Sequence, residues 1–211
     1  MCNRPFQDVI TTEEELCERM GTPNRMVARK AIDHLDQHCR DFIALSPFVL
    51  LATTDALGAC DVSPRGDAPG FVQVLDDNHL VIPERPGNRR MDSLRNILSI
   101  PQVGLLFLIP GLGETLRVNG RACVIKDQKL LQPMAVNGRS PKVGIGLEVK
   151  ESFIHCAKSL KRSRLWEPET WLEPSALPHV SKMLADHIQL PDVTAESVEK
   201  RLKESYTHRL Y

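Results

Sequence analysis

The 211-residue chain has no net charge, few aromatics and no paired-cysteine motif, and each shortage removes a class of function. Lys+Arg and Asp+Glu number 27 each, so no global field draws in nucleic acid or an anionic membrane, and any anion site has to be built locally. Aromatic residues make up 5%, which leaves few stacking platforms for single-stranded nucleic acid. No uninterrupted apolar run reaches membrane-spanning length, and residues 1–10 lack the apolar core of a signal peptide; a cytoplasmic location is the expectation. Six cysteines (Cys2, Cys17, Cys39, Cys60, Cys123, Cys156) are scattered without a CxxC pair, which suits reduced, mostly structural thiols better than a disulfide framework. No Ser/His/Asp set, paired carboxylates or metal cluster stands out. His34 and His38 are four apart, but the Leu-Asp-Gln between them lacks the glutamate of the HExxH zinc pattern, so solvated helix histidines are expected.

What is present is a string of short apolar runs separated by turn residues. The stretch VIPERPGNRRMDSLR (81–95) sets an apolar strand end against a Pro-Gly turn, with Asn88, Arg89 and Arg90 at the expected start of a helix running to about Ser99. A helix amino end exposes unpaired N–H groups and partial positive charge, so arginines there make a phosphate site. Upstream, residues 11–45 predict helices broken at Gly21-Thr22-Pro23, with Val27, Ala31, Leu35 and Ile43 lining one face of the second. Then come an apolar run at 48–54, a turn at 55–58 and a strand resuming over 60–63 that Pro64–Gly66 interrupts; 71–75 and 79–83 flank Asp76-Asp77-Asn78 as a second hairpin.

Residues 103–109 and 114–125 read as strands around the turn Pro110–Gly113, and 130–136 as a short helix. A strand is expected over 145–149, Ser152 is expected to cap a helix over 153–161, and the tail from Pro174 reads as helical with Pro191 as punctuation. Hairpin-linked strands with helices at both ends and no βαβ alternation predict an α+β fold, a mainly antiparallel barrel rather than a dinucleotide-binding sheet. One domain is expected over 1–211: N-terminal helices (1–45), barrel and closing segment (46–172) and a helical C-terminal tail (173–211).

Four segments in order, DVSPRGD (61–67), VIPERPGNRRMDSLRNI (81–97), PGLGETLRVNG (110–120) and, more weakly, HCAKSLKRSRLW (155–166), resemble the FMN-binding split-barrel family of pyridoxamine 5'-phosphate oxidase-like proteins, closest to an uncharacterised oxidase-related subgroup. The resemblance implies a split β-barrel, a homodimer with FMN between the two barrels, and a flavin-dependent oxidoreductase acting on a small molecule. It puts the cofactor phosphate on Arg65, Arg89 and Arg90 with Asn88 and Ser93, where the guanidinium fork suits phosphate oxygens. It runs Asp61, Val62, Ser63, Pro64 and Arg65, with Pro83 and Glu84, along the ring system, and places Thr115 and Arg117 against the flavin. Arg117 near the pyrimidine edge would favour the anionic reduced flavin. Ser163 and Trp166 would close the site from the partner subunit. The Arg-and-His set with which the vitamin oxidase grips its substrate phosphate has no match after Trp166, so the substrate, the electron acceptor and any catalytic residue beyond the flavin stay open. A non-catalytic flavin-binding or sensing module is the alternative from another class, and a haem-binding split-barrel relative, with His155 or His79 as axial ligand, a further one.

Overall fold

The computed structural model describes residues 5–211; residues 1–4, and with them Cys2, lie outside the described residues. Seven strands form one antiparallel sheet: β1 (Phe48–Thr54), β2 (Cys60–Gly66), β3 (Gln73–Val74), β4 (His79–Pro83), β5 (Gln102–Leu108), β6 (Thr115–Ile125) and β7 (Gly144–His155), in the order β2-β1-β5-β6-β7-β4-β3. Helices α1 (Glu13–Met20), α2 (Arg25–Arg29) and α3 (Gln37–Leu45) precede the sheet, and α4 (Asp92–Ser99) is inserted between β4 and β5. Next come α5 (Gln128–Leu131) between β6 and β7, α6 (Lys158–Ser163) after β7, and the tail helices α7 (Val180–Ile188) and α8 (Ala195–His208). This is an α+β fold, a mainly antiparallel split β-barrel with flanking helices at both ends. No described helix is long and apolar enough to cross a membrane.

The core follows from strand alternation. Val49 pairs with Phe107 and Phe107 with Leu116, while Leu51 pairs with Leu105 and Leu105 with Val118; all six side chains are buried. Cross-strand partners share a face, so these two rows fill the barrel interior, each side chain contributing roughly 1.5–3 kcal/mol by leaving water. β6 carries a bulge at Asn119/Gly120, where a Cβ on Gly120 would lie 2.1 Å from the Glu148 carbonyl oxygen. Only glycine permits so close an approach.

The elements depart from the sequence expectations at five places. Residues 25–45 are not one helix: the Ile32 N–H donates to Ser152 O (3.0 Å) and the Ser152 N–H to Ile32 O (2.7 Å), so the chain runs extended there. Asp36 then caps a new helix through the Cys39 N–H (2.8 Å), and His34 falls outside it. β2 runs through Pro64 to Gly66, because β2 is an edge strand and tolerates a missing N–H. The expected strand over 71–75 shrinks to Gln73–Val74; Phe71 and Val72 are buried from a loop instead. Helix α4 starts at Asp92 rather than Arg89, for Arg89 and Met91 have positive φ (61° and 60°) and cannot continue it. Ser152 caps no helix: it is fully buried within β7, where its Oγ donates to His34 O (2.6 Å), and β7 continues to His155.

Candidate functional site

Strand parity divides the candidate residues between two faces. Asp61, Ser63 and Arg65 pair with Thr53, Leu51 and Val49, so they share the interior face of the sheet. Thr115 and Arg117 alternate with the core residues Leu116 and Val118 and point the other way. Val62 and Pro64, between the inward residues of β2, are exposed on the outer face.

On the inner face, α4 lies against β1 and β2 and builds a polar corner from buried helix positions. The Ser63 and Ser93 hydroxyl oxygens are 3.0 Å apart, and Arg65 Nε donates to Ser63 Oγ (3.3 Å). The Arg65 guanidinium also pairs with Glu84, just past β4, and both side chains are largely shielded. Pro83 closes β4 beside it, opposite Gly144. One turn along α4, Asn96 donates to Thr53 Oγ1 (3.0 Å) and Asp61 Oδ2 (2.8 Å). Sequence reasoning missed Asn96, although its spacing of three from Ser93 puts both on one helical face.

The loop into this corner is basic and strained. Arg89 and Met91, neither a glycine, take left-handed conformations, which cost energy unless the surroundings hold them. Met91 stands at the N-cap position of α4 and makes no side-chain cap, so the first-turn N–H groups of the helix lack that partner. Asn88 accepts from the Arg90 N–H (3.0 Å), and Arg90 Nε donates to Asp92 (2.6 Å). Arg89 is exposed and has no carboxylate within 4.0 Å among the described residues. The observed corner thus offers hydroxyls at Ser63 and Ser93, the Arg65 guanidinium and an uncapped helix end, with Arg89 exposed in the loop that leads into it.

Beside it, Arg85 pairs with Asp67 and donates to Met134 O (2.8 Å), and the Tyr211 hydroxyl donates to Asp67 Oδ1 (2.7 Å). Burial alone would push the Asp67 carboxyl up, but hydrogen bonds from Tyr211, the Ala68 N–H and Arg85 outweigh it and hold the carboxyl below its ordinary value. This anchor was also missed, since nothing in the sequence links Tyr211 to Asp67.

On the outer face, Thr115 pairs directly with His155 and Arg117 with Phe153. The Arg117 guanidinium lies over the Phe153 ring (4.1 Å) and donates to Glu151 (3.0 Å), and Lys30 approaches the same ring (4.6 Å). Arg117 Nε is buried without a hydrogen-bond partner. Burial, helped by the charges of Arg117 and Lys30, pushes the His155 imidazole below its ordinary value, so it is neutral at pH 7. Trp166 Nε1 donates to Leu112 O (2.9 Å), tying the segment after α6 to the turn that leads into Thr115. Ser163 turns its hydroxyl back to Leu160 O (3.1 Å).

A family model described as pyridoxamine 5'-phosphate oxidase matches residues 35–156. No curated protein matches. Among solved structures, a histidine-to-alanine variant of HupZ of Group A Streptococcus is 18% identical, covering 57% of this chain and 99% of that one, with a TM-score of 0.48. A putative pyridoxamine 5'-phosphate oxidase of Lactobacillus delbrueckii is 24% identical, covering 58% and 99%, with a TM-score of 0.43. HutZ of Vibrio cholerae, described as a haem storage protein, is 14% identical, covering 58% and 94%, with a TM-score of 0.40.

Proposed function

Because the chain belongs to the pyridoxamine 5'-phosphate oxidase family over residues 35–156, we propose that it is an FMN-binding flavoprotein that works as a homodimer and oxidises or reduces a small molecule. The observation that carries this reading is the α4 corner, where the Ser63–Ser93 hydroxyl pair and Arg65 lie by an uncapped helix end. A phosphate monoester is a dianion with several acceptor oxygens, and that donor set fits it. Bound FMN would supply hydride and single-electron chemistry, leaving the protein to orient, shield and tune.

The chain's own residues divide that work. Ser63, Ser93, Arg65 and Arg89 hold the phosphate, with Asn88 and Arg90 shaping the loop that delivers Arg89. Glu84 keeps the Arg65 guanidinium in place, and Asp61, fixed by Asn96, stiffens β2 beside the ring system. Thr115 and Arg117, on the opposite face of the same sheet, cannot close on that corner within one chain, which supports a second copy supplying them. Arg117 would place positive charge toward the flavin, moderated by its pairing with Glu151.

Titration with FMN and with riboflavin, followed by flavin absorbance and fluorescence, tests the reading. FMN should bind at least about tenfold more tightly than riboflavin, since the phosphate contacts are charge-assisted. Equal affinity, or no uptake of either, would sink it. NADH or NADPH consumption with a panel of acceptors then distinguishes an oxidoreductase from a protein that only binds flavin.

A further inference from the structure

The outer face holds a cavity of about 310 Å³, of whose lining the cofactor assignment uses only Thr115. Its walls include Leu106, Thr115, His155, Cys156, Lys158 and Arg162, and no acidic side chain lines it. Lys158 and Arg162 lie four apart on α6, which brings their cationic ends to one side of the helix. Among the described residues neither has a carboxylate within 4.0 Å, whereas Arg117, Arg85 and Arg65 are all paired. We infer that this cavity binds a small organic oxyanion, a carboxylate or a phosphate, through Lys158 and Arg162, and that this anion belongs to the substrate of the neighbouring flavin.

The geometry supports the assignment in three ways. Two unpaired cations at the rim attract an anion that neutral Leu106 and Thr115 would not. His155 is held neutral at the cavity wall, so it can donate or accept a hydrogen bond without the desolvation cost of a charged imidazole. The volume is at the small end for ligand pockets, which suits a compact metabolite rather than a nucleotide. The substrate assignment rests on the flavin reading, because it takes Thr115 as the meeting point of cofactor and cavity. The anion site itself stands on the residues alone.

Cys156 provides a reporter that does not depend on activity. Its thiol lies at the cavity wall and is pushed below its ordinary value, chiefly by a hydrogen bond from the Lys158 N–H and also by the Lys158 charge, so it reacts with iodoacetamide as thiolate. In FMN-loaded protein, inorganic phosphate at about four times its dissociation constant should slow Cys156 alkylation about fivefold relative to chloride at equal ionic strength. Peptide mass spectrometry would read Cys156 against exposed Cys60, whose rate should not change. In the Lys158→Met/Arg162→Met variant, compared with and without phosphate so that any change in intrinsic thiol reactivity cancels, the protection should disappear.

Equal rates in phosphate and chloride, or protection that survives the double substitution, would overturn the proposal. Protection of the apoprotein by FMN but not by riboflavin, with no further effect of added phosphate, would also overturn it, since the cavity would then be the cofactor's own phosphate seat. Phosphate protection in a protein that takes up no flavin would support the anion site and separate it from the flavin reading.

Discussion

The hydroxyl oxygens of Ser63 and Ser93, thirty residues apart in the chain, lie 3.0 Å from each other where β2 meets the first turn of α4. One hydroxyl must donate to the other, which leaves a proton free to turn toward an incoming acceptor. Ser93→Ala should weaken FMN binding about tenfold, the order expected for one hydrogen bond to a charged group, and leave riboflavin binding unchanged. A parallel loss for both ligands in fluorescence titrations would show that the serine shapes the fold and not the phosphate seat.

Asp67 links the barrel to the tail through Arg85 and Tyr211, with its own side chain almost wholly buried. Asp67→Asn should cost about 3 kcal/mol in urea unfolding, because it leaves the Arg85 cation without its counter-charge. The native carboxyl sits below its ordinary value of 3.8, so its contribution is fully present above that pH and is lost as pH falls through the lower folded value. Acid unfolding of the wild type should therefore steepen below about pH 4, and the asparagine variant should lack that component.

His155 shows the opposite chemistry with the same acid-side consequence. The fold favours its neutral form, so stability is full above its ordinary value of 6.5 and erodes as pH falls from there to the lowered folded value. Arg117→Met removes one of the two charges that depress it. The imidazole titration followed by NMR should then move upward, and an unchanged midpoint would mean that the Arg117 charge takes no part in setting it.

Gly120→Ala should be among the most damaging single changes in the barrel. The added methyl would meet the backbone at Glu148, not a side chain that can swing away, and the β6–β7 pairing would have to open. A loss of about 3 kcal/mol in thermal or urea unfolding is expected, with cofactor uptake falling only as the protein unfolds.

Much of the barrel was legible because local chemistry and tertiary demand agree. Asp76-Asp77-Asn78 is strong turn chemistry, and the strand after it occupies His79–Pro83 as expected. The failures arise where a distant partner decides. Ser152 preceding an apolar run resembles a helix cap, yet its hydroxyl is taken by His34 and its backbone by Ile32, more than a hundred residues away. The same pairing explains why the helical pattern around Val27 and Leu35 does not continue. At the candidate site, the serine and arginine types pointed to an anion, but which face of the sheet each residue occupies depends on register, and register depends on pairings that no short motif contains.

The two margins of the sheet carry one more consequence. One margin is β2, which carries Pro64 within it, and the other is β3, only two residues long. A proline withholds a ladder donor and a two-residue strand offers almost no template, so neither margin can readily recruit a further strand. Growth of the sheet is thereby self-limiting, and copies of this chain have their broad faces left as the route to one another. Such a geometry protects against runaway polymerisation while leaving room for a closed pair.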